Sequence, residues 1–278
     1  MNIIELIQYD FFINTLLAAA FASIAAGIVG TYIVSRRMVF LSGGITHASF
    51  GGIGIAYYLG FNPVLGAAAF AVLASLGIDL FSHKKYMRQD SLIGLWWSAG
   101  MALGIVFIYI TPGYTPNLMT YLFGSILTVS ALDVWFLAGL ALVVSIYFMF
   151  FHKAIMFIAF DPEYARTHNV PVHALSLLTS ALVALTIVFS IKVAGIILVI
   201  SLLTVPQAIV NMFTHNYKNI MLFSVVLSFV GIFAGLVVSF SVDIPSGATI
   251  IFALLFLFLL ARLIAWFMHR MGLRKAGK

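Results

Sequence analysis

Long apolar runs alternate with short polar breaks along the whole chain. About 20 apolar residues in a helix cross the hydrocarbon layer of a membrane. By that measure the pattern predicts spans at 11–34, 38–59, 63–82, 92–111, 131–152, 172–191, 194–214, 219–241 and 246–267. These are nine segments, and one re-entrant or broken helix among them would leave eight. The breaks "GFNP", "TPGYTPN" and "SVDIPSG" are built from turn residues. No Pro-, Ser- or Gly-rich tract divides the chain, so residues 1–278 read as one all-α, polytopic transmembrane domain.

Composition removes the competing classes. The chain is 63% hydrophobic and 8% charged, with a mean hydropathy of +1.16. Soluble domains carry about 25% charged residues. With no cysteine, thiolate and disulfide chemistry are excluded. The sequence contains no H-E-x-x-H zinc motif and no nucleophile elbow. Its only "GK" is Gly277-Lys278, so the chain has no P-loop and a separate chain must supply any ATP hydrolysis of that kind. An intramembrane enzyme is therefore poorly supported. The net charge of +6 reports orientation and not a nucleic-acid partner, because the cations are placed unevenly. All of the 14 Lys and Arg except Lys192 fall in or beside alternate breaks or the C-terminal tail. Basic loops lie in the cytoplasm, which puts the N-terminus outside and the C-terminus inside. The first residues carry Glu5 and Asp10 and no cation, unlike a cleavable signal.

Four polar features interrupt the apolar pattern. In "LSGGITHASFGG", His47 lies near the middle of the second predicted span, about 15 Å from either end. Gly43, His47, Gly51 and Gly54 share one helical stripe. An imidazole at membrane depth faces protein or a watery cavity and is a common metal ligand. The same pattern also serves close glycine packing, with one interhelical hydrogen bond from His47. "FDPEYARTHNVP" predicts a short helix capped by Asp161, with Pro162 and Glu163 in its first turn, and stopped by Asn169 and Pro171. It reads as a docking helix for a cytoplasmic partner or as a helix lying on lipid headgroups. Arg166 is its only cation, which favours the partner. In "SVDIPSG", Asp243 sits at an outer mouth, where it could attract a cation or cap the last span. In "ISLLTVPQAIVNMFTH", Thr204, Gln207 and Asn211 share a face and Pro206 interrupts the ladder. That face reads as the wall of a path or as interhelical hydrogen bonding. The pair Asp79 and His83 lies beside Lys84, Lys85 and Arg88 at a helix end. His152, His168, His173, His215, His269, Asp133 and Lys192 read as interfacial.

In this order, these motifs resemble the membrane permease subunit of bacterial zinc/manganese/iron ABC importers, the ABC-3 family. The resemblance rests on "SRRMVFLSGGITHASFGG", "FDPEYARTHNVPV", "VAGIILVISLLTVP" and "DIPSG", and covers nearly the whole chain. It implies a type II ABC importer-like permease in a bacterial or archaeal plasma (inner) membrane. The implied partners are a second copy of the chain, two cytoplasmic ATPases that use the ATP, and an extracytoplasmic metal-binding protein. The substrate is a divalent metal ion, and the chain itself needs no cofactor. Under this resemblance Asp161, Pro162, Glu163, Tyr164, Ala165 and Arg166 form the coupling element, within about 161–169. His47, Thr46 and Asp243 lie on the metal path, and Gly43, Gly51, Gly54, Thr204, Gln207 and Asn211 line it. Many members carry an aspartate one turn before the histidine, where this chain has Gly43. One neutral nitrogen per subunit, doubled by a two-fold axis, ranks zinc over manganese and manganese over iron. Two alternatives fit less well. Siderophore or cobalamin permeases are usually longer, and "THA" and "DIPSG" argue against them. A stand-alone secondary transporter would want intramembrane acids, which this chain almost lacks.

Overall fold

The computed structural model describes residues 9–83, 87–112 and 129–271. Lys84, Lys85, Arg274, Lys275 and Lys278, most of the "TPGYTPN" break, and the side chains of His83 and Lys192 lie outside the described residues. Every regular element described is a helix. The order is α1 (Asp10–Ser35), α2 (Val39–Leu59), α3 (Pro63–His83), α4 (Gln89–Ile110), α5 (Ala131–Phe150), α6 (His152–Phe160), α7 (Pro162–Thr167), α8 (Val172–Leu202), α9 (Val205–Asn211), α10 (Tyr217–Val242) and α11 (Ser246–Arg270). Among the described residues, eight helices are long and apolar enough to cross a membrane: α1 to α5, α8 through Val172–Ile191, α10 and α11.

Local chemistry sets the helix ends. Gly60, at φ 75°, closes α2, and the Phe61 amide reaches back to the Ala56 carbonyl. Asn62 then accepts from the Val64 amide, and Pro63 opens α3. Ser130 and Asp133 form a reciprocal capping box at the start of α5. Asn216 caps α10 by accepting from the amides of Lys218 and Asn219.

The predicted segment 194–214 is the broken one. Gly195 has φ 74° and ψ 163°, so α8 is interrupted there. Only glycine takes up such a conformation without strain. Before the break, Phe189 stacks on Phe136 in the first turns of α5. After it, Gln207 bonds to Ala26 of α1, and His215 lines a cavity with Arg37 and Phe160. The chain therefore reverses at Gly195 and returns to the end where α8 began. Pro206, expected to interrupt a helix in mid-span, instead sits in the first turn of α9, where its missing N–H is not needed. Among the described residues, eight long helices and this shorter broken pass make nine traverses of the bundle.

Consecutive passes alternate in direction, which collects the described cations at one end. Arg36 and Arg37 close α1, Lys153 and Arg166 lie in α6 and α7, Lys218 opens α10 and Arg270 closes α11. The most buried of the eight long helices, α2, is also the least apolar. The most hydrophobic window of α2 has a mean hydropathy of only 1.3, the lowest of the eight long helices, yet it is 78% buried. The corresponding window of α11, at 2.6, is 22% buried. Lipid tails are as apolar as leucine, so small and polar residues are the ones that gain by packing against protein.

Candidate functional site

The predicted docking helix is present with its expected caps. Asp161 accepts from the Tyr164 amide at 3.0 Å, and Pro162 occupies the first turn. Glu163 pairs with Arg166 at 2.8 Å on the surface. The helix stops at His168, and Asn169 takes φ 56°. It is therefore six residues long, shorter than the span 161–169. Of those six, Ala165 alone is buried. Tyr164 projects with its ring 4.1 Å from that of His168 and edge-on to Phe157. One contact that the sequence did not signal anchors this region: Arg36, at the end of α1, donates to the Ile158 carbonyl in α6 at 2.6 Å.

His47 sits at mid-helix in α2. Between Leu41 and Gly54 every residue is buried except His47. Its ring lies flat against Trp97 of α4, with centroids 4.3 Å apart and planes 4° apart. Nδ1 is buried without a hydrogen-bond partner. The neighbouring glycines are used by other helices. A β-carbon on Gly51 would lie 2.9 Å from the Gly100 carbonyl oxygen, and one on Gly54 would lie 2.5 Å from that of Gly104. Both therefore hold α2 against the backbone of α4 and do not line a space in this structure. Gly43 faces Ile200 of α8. Thr46 is fully buried and donates to the Ser42 carbonyl one turn back, so its hydroxyl stays within its own helix.

Thr204, Gln207 and Asn211 do not form one helical face, because Thr204 precedes α9 and donates to the Ile200 carbonyl. Gln207 is fully buried and its Nε2 donates to the Ala26 carbonyl at 3.0 Å. Asn211 is exposed. Gln207 and Asn211 line a cavity of about 300 Å³ at the basic end, together with Thr31, Ser35, Arg37 and His215. Gln207→Leu is expected to lower stability by about 1 kcal/mol through loss of one interhelical bond. Thermal unfolding of the purified protein in detergent checks this.

Asp243 does not cap the last helix. It closes α10 in the left-handed region, at φ 55° and ψ 48°, and the residue before α11 is Pro245. Its carboxylate is exposed at the negative end of a helix dipole, an unfavourable place that a cation would relieve. Asp243 and His47 are not brought together. α10 packs chiefly on α1, α9 and α11, whereas His47 faces α4.

Asp79 accepts from Ser176 of α8 and so ties α3 to α8. His152 packs near Tyr217, and burial, then Lys218, hold its imidazole below the usual histidine range. Among the described residues, no three His, Asp or Glu side chains converge as a metal cage. Among the described residues, His47 is the one imidazole in the middle of a long apolar helix.

The sequence pattern of the ABC 3 transport family matches residues 8–265. A probable metal transport system membrane protein of Chlamydia pneumoniae is 38% identical, over 85% of this chain and 83% of its own length. The manganese transport system membrane protein MntC of Halalkalibacterium halodurans is 31% identical, over 92% of this chain and 88% of its own. PsaBC of Streptococcus pneumoniae, solved in complex with a Fab, superposes with a TM-score of 0.82 at 27% identity, covering 92% of each chain. The nine-pass bundle, its capped surface helix and a family match over nearly the full length lead to one assignment: the chain belongs to the ABC 3 transport family.

Proposed function

We propose that this chain is the permease subunit of an ATP-driven importer that brings a divalent transition metal into the cytoplasm. The observation that carries the reading is α7. A rigidly capped, six-residue helix stands at the basic end with Tyr164, Glu163 and Arg166 exposed and only Ala165 in the core. A connection between two spans needs no such caps, whereas a contact that must transmit movement does. The basic end is cytoplasmic by the distribution of Lys and Arg. Nine passes then put residue 9 outside and residue 271 inside.

The partners in this reading are a second copy of the chain, two ATPases seated on the α7 helices, and an extracytoplasmic metal-binding protein. Manganese comes first as substrate and zinc second. The names of the relatives support manganese, whereas donor chemistry alone ranked zinc higher. One mid-span histidine, His47, suits a path that must release what it binds.

The test is uptake by the permease reconstituted with its ATPase. Glu163→Ala with Tyr164→Ala is expected to lower ATP-driven manganese uptake by about tenfold or more. Thermal stability should stay within about 0.5 kcal/mol, because both side chains are exposed. Gradient-driven uptake by the permease alone, without ATPase, would overturn the reading.

A further inference from the structure

We infer that Trp97 is a positioning residue for His47, holding the imidazole so that Nε2 is the nitrogen presented to the metal. The inference rests on the metal path proposed above and adds to it an orienting group on a different helix.

A histidine that binds metal needs a fixed ring plane. The ring nitrogen that does not bind usually donates to a carboxylate, a carbonyl or water, which fixes the tautomer and makes the other nitrogen more basic. His47 has no such partner, because its Nδ1 is buried and unbonded. The ring is held through its face instead. Trp97 lies parallel to it at 4.3 Å, and Phe40 leans on Trp97 from the other end of α2 at 6.2 Å. The two backbones lie close together at this level. Gly44 sits under Ile93 on one side of the stack, and Gly51 touches Gly100 on the other. Nδ1 is turned inward, and His47 alone keeps exposure in the stretch 41–54. The edge that carries Nε2 is therefore the reachable one.

This arrangement has a chemical consequence. Stacking fixes orientation without taking up either nitrogen and without an acceptor that would strengthen the donor. The Nδ1–H tautomer that leaves the Nε2 lone pair free also keeps a buried proton without a partner. His47 is thus a correctly aimed but weak ligand. A transport path requires that combination, because tight binding would stop turnover.

The uptake test uses the permease–ATPase complex in proteoliposomes, and the fluorescence test uses the full-length permease alone in detergent. With Trp96, Trp135 and Trp266 replaced by Phe, Trp97 is the only tryptophan of the permease. Cobalt(II) chloride should then quench its fluorescence saturably, and His47→Ala in the same background should abolish the quench. In the unmodified background, Trp97→Leu should raise the manganese concentration giving half-maximal uptake by about fivefold to tenfold, with the maximal rate reduced less. Trp97→Phe should stay within about twofold of wild type, because a ring remains to stack. The inference is overturned if Trp97→Leu leaves the half-saturating concentration unchanged while His47→Ala abolishes uptake. In that case the path stands and the positioning role falls. It is also overturned if the single-tryptophan protein shows no saturable quench, a readout that stands even where the Leu variant does not fold. If His47→Ala leaves uptake unchanged, the path itself fails, and the positioning role with it.

Discussion

Gly54→Leu is expected to destabilise the protein by about 3 kcal/mol, near the upper end for overpacking a tight contact. The reason is the identity of the neighbour. A first side-chain carbon would already lie 2.5 Å from the Gly104 carbonyl oxygen and 2.7 Å from its Cα. Both atoms belong to the α4 backbone and cannot rotate away as a side chain can. Relief requires α2 and α4 to separate, which also releases the contacts at Gly44, Ala48 and Gly51. Gly94→Leu on the same helix pair is the control. Gly94 is exposed, a β-carbon there meets nothing within 4 Å, and the change should stay within about 0.5 kcal/mol. Thermal unfolding and gel filtration in detergent compare the two. Equal melting temperatures for both variants and wild type would refute the tight α2–α4 contact.

His47→Ala is expected to lower manganese uptake by about tenfold or more while the complex remains assembled. Removing groups that merely orient a metal ligand already lowers affinity by about 10–100-fold, and loss of the ligand itself should do no less. The fold should tolerate the change. The ring's principal contact is the Trp97 stack, and such a pair contributes about 0.5–1.5 kcal/mol. No other imidazole in the described chain lies at mid-span depth, so no neighbour stands in for it. Uptake is measured with radioactive manganese in proteoliposomes that contain the ATPase, with metal-stimulated ATP hydrolysis as the second readout. Wild-type values for both would remove His47 from the path.

The sequence made local features readable and hid those that depend on a partner helix. Asp161, Pro162 and Glu163 announced α7 because capping is chemistry between residues a few positions apart. The spans were readable for the same reason, since length and hydropathy are properties of one segment. The glycines around His47 were ambiguous, because the same residues suit an open path and a close contact. Only the position of Gly100 and Gly104 on α4 distinguishes the two for Gly51 and Gly54. In the seventh segment Pro206 reads as an interruption, because proline disrupts a helix interior. Yet proline is equally at home in a first turn, and a lone glycine such as Gly195 gives little advance sign of a positive φ. Of the two readings open for Asp243, the cap of the last span is the one that does not hold, since a turn between two spans can be divided in more than one way. The Trp97 stack and the Arg36 anchor join segments tens of residues apart, and no local pattern encodes either.

The hydrogen bond from Arg36 to Ile158 gives the molecule a mechanical property. α6 and α7 are joined through Asp161 and touch again where Phe157 meets Tyr164, and α6 is tied to the end of α1 by the Arg36 guanidinium. A push on Tyr164 therefore has a short load path into α1, parallel to the longer one through α8. α1 in turn bears on α10 at Gly27 and on α9 through Ala26 and Gln207. Force applied at one exposed ring thus arrives at the reversed, broken pass from the side, with Arg36 as the pivot.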